Sequence, residues 1–137
     1  MYETETQVFG NVVAHGVDHV DLADFSRLLI VPFENSLEIY FTSAELAAAG
    51  GGSNRLEKLA SRFAVKEAVL KALGTGWGDG VAFTDVEVIN SPKGAPSIFL
   101  YRNLEKIAAE LGVVKWLVSS SHSGVLAFAS VIALRSS

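Results

Sequence analysis

The stretch "LASRFAVKEAVLKALGTG", residues 59–76, predicts the main helix of the chain. At about 100° per residue, its apolar side chains form one stripe, which is made of Leu56, Leu59, Ala60, Phe63 and Leu70. Glu67 falls within about 40° of the centre of that stripe, whereas Arg62 and Lys66 point to another side. Lys71 follows Glu67 by one turn. A carboxylate in an apolar stripe is costly unless something compensates its charge, so the helix needs a partner for Glu67.

Capping residues mark where the helices begin and end. Asn54 and Glu57 have the spacing of a capping box at the start of the main helix, and Gly74 is placed to end it in a left-handed conformation. Thr42 and Glu45 predict a second capping box at the start of a preceding helix. These signals give two consecutive helices in the first half of the chain.

Strands and shorter helices are predicted on both sides of this pair. Alternating apolar residues predict strands, and periodic segments with capping residues predict helices. The strands are 11–22, 85–90, 96–101, 113–121 and 125–134, and the helices are 21–31, capped by Asp21 or Asp24, and 103–112, capped by Asn103. The fold class is therefore α+β, with helices packed on a mostly antiparallel sheet. Residues 1–11 are predicted to be a loose N-terminal tail, and residues 12–137 a single domain.

The composition excludes several classes of protein. The chain has 137 residues, of which 50% are hydrophobic and 19% charged, which is typical of one folded domain. It has no cysteine, which excludes a disulfide scaffold, a thiol nucleophile and cysteine-ligated zinc, and fits a cytoplasmic protein. We find no signal peptide and no apolar run of membrane-spanning length. The net charge of −4 gives no support to nucleic-acid binding.

Positive charge is concentrated at the main helix. Residues 1–53 contain one basic side chain, Arg27, against eight acidic ones. The next eighteen residues contain five basic side chains: Arg55, Lys58, Arg62, Lys66 and Lys71. We interpret Arg55 and Lys58 as a solvated helix face, and the rest of the cluster as favouring a small anionic ligand.

Three motifs suggest a zinc site, a nucleotide-binding loop and a hydrolase nucleophile, and each is better explained by local structure. His15 and His19 lie in a predicted strand, where four residues span about 13 Å, too far for one zinc ion. The glycine-rich segment 74–80 follows a helix, whereas a nucleotide-binding loop precedes one. A helix terminator is the better explanation, although contact between its exposed amides and a phosphate stays open. The "SSSHSG" segment at 119–124 is not a nucleophile elbow, and a hairpin turn explains it.

Asp18 and Glu67 leave two interpretations open. Aspartate is uncommon in strands and glutamate is rarely buried unpaired, so two carboxylates facing inward would need a cation between them, and Mg²⁺ prefers such oxygen ligands. The alternative is a helix ion pair between Glu67 and Lys71, worth a few tenths of a kcal/mol, with Asp18 in a turn. Spacing alone does not separate the two.

Read in order, five segments resemble one enzyme family. They are "HGVDHVDL", "YFTSAEL", "LASRFAVKEAVLKALGTG", "KGAP" and "VSSSHSGVLAFASVI". Together they are similar to the signatures of holo-[acyl-carrier-protein] synthase, the small single-domain type of phosphopantetheinyl transferase. The resemblance covers about residues 12–134. It implies transfer of 4′-phosphopantetheine from coenzyme A to a serine of an acyl carrier protein, with release of 3′,5′-ADP.

The resemblance also implies roles for individual residues. Asp18 and Glu67 match the family's metal-binding carboxylates, which hold Mg²⁺ against the pyrophosphate of coenzyme A. Glu67, or a water that it holds, would take the proton of the carrier serine, and Lys71 would stabilise the leaving phosphate. The implied coenzyme A contacts are Arg62, Lys71, the turn of Gly74, Thr75 and Gly76, Lys93, Pro96 and His122. The family further implies a homotrimer with active sites at subunit interfaces.

The chain departs from the family pattern in three places. The first helix offers only Arg27 where the family presents several basic residues to an acidic carrier. The family's Gly-Lys/Arg-Pro loop reads Gly94-Ala95-Pro96, so either Lys93 substitutes for the missing basic residue or a phosphate contact is lost. The chain also begins about ten residues before the first motif. A non-catalytic domain that binds coenzyme A or a carrier protein is therefore the alternative function, although Asp18, Glu67 and Lys71 favour the enzyme.

Overall fold

The fold of the protein is taken from a computed structural model, which describes residues 10–29, 36–78, 80–93 and 95–137. The elements, in chain order, are β1 (Val12–Asp21), α1 (Leu22–Leu29), α2 (Ser36–Tyr40), α3 (Ser43–Ala49), α4 (Arg55–Leu73), a 3₁₀ turn (Phe83–Asp85), β2 (Val86–Asn90), β3 (Pro96–Leu100), α5 (Arg102–Glu110), β4 (Val113–His122) and β5 (Leu126–Arg135). Across these ranges, no helix combines the length and apolar content needed to cross a bilayer.

Two antiparallel sheets surround the central helix α4. One sheet has three strands in the order β1-β5-β4, so β1 and β4 are its edges, and the other is the hairpin of β2 and β3. Helix α4 packs mainly on β1 and β5, and the hydrophobic core lies between this helix and the sheets. The predicted α+β class with antiparallel sheets is confirmed.

Strand β1 approaches α4 closely at Gly16. A Cβ atom built on Gly16 would lie 2.0 Å from the carbonyl oxygen of Ala68, inside any permitted contact distance. Gly16 is buried, Val20 on the same face packs against the core, and His15 on the other face is exposed, as the alternation predicted. This face of β1 therefore lies directly against the backbone of α4, and Asp18 lies on it.

The side of α4 that carries Arg62 and Lys66 is buried, although it lies away from the predicted apolar stripe. Lys66 is fully buried, and its Nζ lies 2.8 Å from Oε1 of Glu45. It also donates to the carbonyl oxygens of Phe83, at 3.0 Å, and Val86. Burial lowers the pKa of Lys66, and the carboxylate of Glu45 opposes that shift. The pair joins α3 and α4 to the start of β2.

The predicted caps have different outcomes. The capping box of Thr42 and Glu45 is confirmed, with the Glu45 amide 3.2 Å from Oγ1 of Thr42 and the Thr42 amide 2.9 Å from Oε1 of Glu45. Gly74 ends α4 in the left-handed region at φ 71°, as predicted. The capping box at Asn54 is wrong, because its ψ of 7° is not the extended conformation of a capping residue and its side chain makes no capping bond.

The start of α5 and the N-terminal tail also need correction. The predicted cap at Asn103 is wrong, because α5 begins at Arg102, whose guanidinium binds both carboxylate oxygens of Asp85 at 2.8 and 2.7 Å. Most of the predicted tail, residues 1–9, lies outside the described residues. The carbonyl oxygens of Gly10 and Asn11 accept hydrogen bonds from Arg135, which ties both residues to the end of β5. Helix α2 and the 3₁₀ turn were not predicted.

We expect Gly16→Ala to destabilise the protein by about 3 kcal/mol, because the added methyl group forces β1 away from rigid helix backbone. The free energy of unfolding, measured with urea, tests this. Gly51→Ala is the matched control, because nothing lies within 4 Å of a Cβ atom at that position. Equal stability of the two variants would contradict the close approach.

Candidate functional site

The first group of predicted site residues lies where β1 crosses the C-terminal half of α4. It consists of Asp18, Glu67 and Lys71. Nζ of Lys71 lies 2.7 Å from Oδ1 of Asp18 and 3.2 Å from the carbonyl oxygen of Val17. Asp18 is half-buried in the strand, paired with Ala129 of β5. The alternative with Asp18 in a turn and a Glu67–Lys71 ion pair is therefore wrong, since Lys71 binds Asp18 instead.

Glu67 lies at the edge of the core. Its side chain is half-buried, and Oε1 accepts a hydrogen bond of 3.0 Å from Nε1 of Trp77. Burial raises the pKa of Glu67, and the nearby charge of Asp18 adds to that rise, whereas the bond from Trp77 and the charge of Lys71 oppose it. The two carboxylates are thus close enough to repel each other, which is the condition that a cation relieves.

The oxygen atoms of this group fit a hard divalent cation. Of the hydrogen bonds made among the described residues, none reaches Oδ2 of Asp18 or Oε2 of Glu67. The same residues contain no cluster of three or more His, Asp or Glu side chains around a common point. Two carboxylates with open positions suit Mg²⁺, which usually keeps several waters and binds substrate phosphates.

The second group lines a cavity of about 180 Å³ beside the N-terminal half of α4. Arg62, Pro96 and His122, three of the predicted coenzyme A contacts, all face it. The other lining residues are Lys58, Ser61, Val65, Val88, Asn90 and Ser120. The sequence therefore identified three residues that the fold brings together from α4, β3 and the end of β4.

Two buried polar atoms at this cavity have no partner among the described residues, Nε of Arg62 and Oγ of Ser61. Arg62 is only 7% exposed, and one of its other nitrogens donates to the Lys58 carbonyl oxygen at 3.3 Å. Burial lowers the pKa of Arg62, and the charge of Glu45 opposes the shift. A buried donor without an acceptor is costly, so this cavity favours an anion that accepts from Arg62.

The two groups lie on opposite sides of α4. Arg62 and Lys71 are nine residues apart, which is two and a half turns and about 13.5 Å along the helix axis. Asp18 belongs to β1, whereas His122 belongs to β4, the other edge of the same sheet. Accordingly, none of Asp18, Glu67 and Lys71 lines the cavity at Arg62.

The remaining predicted residues lie near these groups or outside them. The amides of Gly74 and Thr75 donate to carbonyl oxygens of α4, so they close the helix, and the amide of Gly76 makes no such bond. Lys93 is exposed and does not line the cavity. Gly94, in the same loop, lies outside the described residues.

The sequence missed the roles of several side chains in these groups. Trp77 had no predicted role, because only its position after the helix was visible. Ser61 and Lys58 line the cavity, although Lys58 was expected only to be solvated. Arg55 was also expected to be solvated, but its guanidinium donates to the carbonyl oxygens of Leu46 and Gly50 at the end of α3. Contacts with the preceding helix decide the roles of Trp77 and Arg55, and the cavity formed with β2, β3 and β4 decides those of Ser61 and Lys58.

Known proteins resemble this chain over most of its length. A holo-[acyl-carrier-protein] synthase from Geotalea daltonii is 38% identical over 117 residues, which is 85% of this chain and 94% of that protein. The crystal structure of the synthase from Bacillus anthracis in complex with coenzyme A (3′,5′-ADP) has a TM-score of 0.75 at 32% identity and covers 93% of this chain and 100% of its own. The synthase structure from Neisseria meningitidis has a TM-score of 0.79 at 30% identity, with 89% and 98% covered.

The family model for the 4′-phosphopantetheinyl transferase superfamily matches residues 14–129. That range contains both groups of residues described above, from Asp18 in β1 to His122 in β4. With the fold, the two groups and the relatives in agreement, the chain belongs to the 4′-phosphopantetheinyl transferase superfamily.

Proposed function

We propose that the protein transfers 4′-phosphopantetheine from coenzyme A to a serine hydroxyl of an apo acyl carrier protein and releases 3′,5′-ADP. The observation that carries the proposal is the meeting of Asp18, Glu67 and Lys71 where β1 crosses α4. The relatives support it, because they are named holo-[acyl-carrier-protein] synthase and one was crystallised with coenzyme A (3′,5′-ADP).

Each residue of the first group has a role in this transfer. The serine oxygen attacks the phosphorus that carries the pantetheine, and the bond to the bridging oxygen of the pyrophosphate breaks. Glu67, directly or through a water, takes the serine proton, and Lys71 stabilises the charge on the departing phosphate. Asp18 and Glu67 would hold Mg²⁺, which supplies charge neutralisation at the pyrophosphate when it is bound.

The cavity at Arg62 is the proposed site for another part of coenzyme A. Coenzyme A carries a 3′-phosphate in addition to its pyrophosphate, and Arg62 offers an unpartnered, buried donor. His122 and Lys58 add two further donors at the rim, and Pro96 forms part of the wall. A phosphate that accepts from Arg62 would satisfy a group that the protein alone leaves without a partner.

The proposal is tested by mixing the protein with coenzyme A, Mg²⁺ and a panel of apo-carriers. We expect the mass of at least one carrier to increase by one phosphopantetheine group, and the increase to be abolished by EDTA. If calorimetry shows that the protein binds coenzyme A but no carrier is modified, the result would instead support the alternative, a non-catalytic binding domain.

The cytoplasmic location of the protein remains a prediction from composition.

The active assembly is proposed to be a homotrimer in which neighbouring copies complete each site. The separation of the two groups across α4 supports this, since in such an assembly a second copy would bring the cavity of one chain to the carboxylates of another. The outer face of the three-stranded sheet also supports it. Val17, Leu117 and Phe128 on this face are 51%, 45% and 46% exposed, so it is an apolar surface that association would bury.

We expect Glu67→Gln to separate catalysis from stability. Burial raises the pKa of Glu67. In metal-free protein the ionised carboxylate therefore lowers the free energy of unfolding at pH values above this raised pKa. The loss disappears once the pH falls below the pKa that Glu67 has in the unfolded state. Glutamine removes the charge and keeps the shape. The variant should unfold at an equal or higher denaturant concentration in EDTA at neutral pH, and transfer should slow by at least about a hundredfold.

Glu110→Gln is the control for this change, because Glu110 is exposed at the end of α5. Denaturant unfolding and the carrier mass assay are run on both variants. Transfer by Glu67→Gln at the parent rate would show that this carboxylate is not part of the site.

We expect two inactive variants to restore activity in a mixed assembly. Glu67→Gln damages the carboxylate group, and Arg62→Met damages the cavity with a side chain that suits a buried position. Co-expressed with different affinity tags and purified through both, the mixed assembly contains sites in which each copy supplies its intact group. A mixed assembly as inactive as its parents would indicate that each chain forms its own complete site.

Recognition of strongly acidic carriers should be weak or nearly independent of salt. Arg27 is the one basic side chain of α1, and Asp24 on the same helix already pairs with it. Such charge pairing mainly sets association rates. Phe25, on the same helix, offers a carrier almost no surface for docking, because its side chain is only 2% exposed. The apparent KM for an acidic apo-carrier should change less than roughly threefold between about 0.05 and 0.5 M salt. A steep rise with salt would place the docking surface on other basic residues.

A further inference from the structure

Trp77 makes the single hydrogen bond that the side-chain carboxylate of Glu67 receives from the described part of the chain. Its Nε1 lies 3.0 Å from Oε1 of Glu67, and its side chain is half-buried. Trp77 belongs to the glycine-rich segment after α4, a motif to which neither metal binding nor the cavity assigns a role. Gly74 turns the chain at φ 71°, which brings this segment back along the helix that it has just left.

An aromatic stack fixes the orientation of the indole ring. Trp77 stacks on Phe83 with the ring centroids 3.7 Å apart and the planes at 26°. Phe83 in turn stacks on Phe63 at 5.3 Å and 18°, and Tyr40 contacts the edge of Phe83 at 4.8 Å. Phe63 precedes Glu67 by four residues on α4, so the two side chains are neighbours on one helix surface.

These contacts form a closed loop that begins and ends on α4. The loop runs from Phe63 through Phe83 and Trp77 to Glu67, and each link is a ring stack or a hydrogen bond. A carboxylate held in this way cannot rotate its Oε1 toward solvent without breaking the bond from the indole. Its other oxygen, Oε2, therefore has a fixed direction relative to the helix.

We propose that Trp77 is a positioning residue for Glu67, whose indole N–H holds Oε1 so that Oε2 is presented to the divalent cation beside Asp18. This inference rests on the proposed function, because it takes Glu67 and Asp18 as the ligands of that cation. Trp77 has no atom that binds a metal and acts only through Glu67. Groups that orient a metal ligand typically contribute about 10-fold to 100-fold in metal affinity or activity.

The role of the N–H can be separated from the role of the ring. Phenylalanine at position 77 would keep an aromatic surface for Phe83, so packing alone does not require a hydrogen-bond donor there. A bond from a neutral donor to a carboxylate is one of the stronger side-chain bonds, and its loss leaves Glu67 free to rotate. The predicted effect is therefore on cation affinity rather than on folding.

The test compares Trp77→Phe with Trp116→Phe, which alters the only other tryptophan of the chain, a half-buried residue of β4. Binding of Mn²⁺ in the presence of coenzyme A is measured by electron paramagnetic resonance, and transfer is measured against Mg²⁺ concentration. We expect Trp77→Phe to bind Mn²⁺ about 10-fold to 100-fold more weakly and to need correspondingly more Mg²⁺ for half-maximal rate. At saturating Mg²⁺ most of kcat should return, and Trp116→Phe should match the parent protein.

A second variant covers the case in which Trp77→Phe does not fold. In the Trp116→Phe background, Trp77 is replaced by 3-benzothienylalanine, which has nearly the same shape with sulfur in place of the N–H group. Weaker Mn²⁺ binding by the folded variant supports the inference, and Mn²⁺ binding equal to that of Trp116→Phe overturns it. Failure of the proposed function is distinct, because the parent protein would then show no carrier modification and no dependence on a divalent cation.

Discussion

The contact between the backbones of β1 and α4 at Gly16 is the constraint on which the site depends. Because no side chain separates Gly16 from the Ala68 carbonyl oxygen, the strand lies at the minimum distance from the helix. Asp18 is two residues further along the same face of β1, and Lys71 is three residues beyond Ala68 on α4. Their 2.7 Å ion pair follows from this approach, as does the repulsion between Asp18 and Glu67. A larger residue at position 16 would move Asp18 away from Lys71 and Glu67.

Lys66 and Glu67 are adjacent in α4 but have different surroundings. Successive helix residues point about 100° apart, so Lys66 and Glu67 enter different surroundings. Lys66 is buried against Glu45, and Glu45 also accepts hydrogen bonds from the amides of Thr42 and Val88 at 2.9 Å each. A buried pair of this kind costs about 3–5 kcal/mol when one partner is removed. It fixes the rotation of α4, and thereby the direction in which Glu67 points.

Local contacts made the Thr42 and Gly74 caps predictable, whereas most failures lie where segments further apart in the chain meet. The cap at Asn54 is the exception, because it is local and still wrong. The Thr42 capping box and the Gly74 cap lie within a few residues of the helix ends that they close, so the sequence alone predicts them. The cap at Asn103 failed because Arg102 is held by Asp85, seventeen residues earlier. The predicted apolar stripe of α4 contains only part of the buried surface of this helix, because a helical wheel assumes that one side alone is buried. This helix has the sheet on one side and α1, α3 and β2 on the others. Arg62 and Lys66 are therefore buried, and Glu67 lies at the edge of the core.

The burial of α4 on several sides explains how one helix serves two chemically different groups. Its C-terminal half presents Glu67 and Lys71 to Asp18 at one edge of the sheet, whereas its N-terminal half presents Arg62 to a cavity at the other edge. Coenzyme A carries phosphate groups at two separate places, and the two groups suit them differently. The carboxylates need a cation between themselves and a phosphate, whereas the buried Nε of Arg62, which has no partner among the described residues, suits direct contact with a phosphate. Helix α4 therefore separates, within one chain, two different ways of meeting a negative charge.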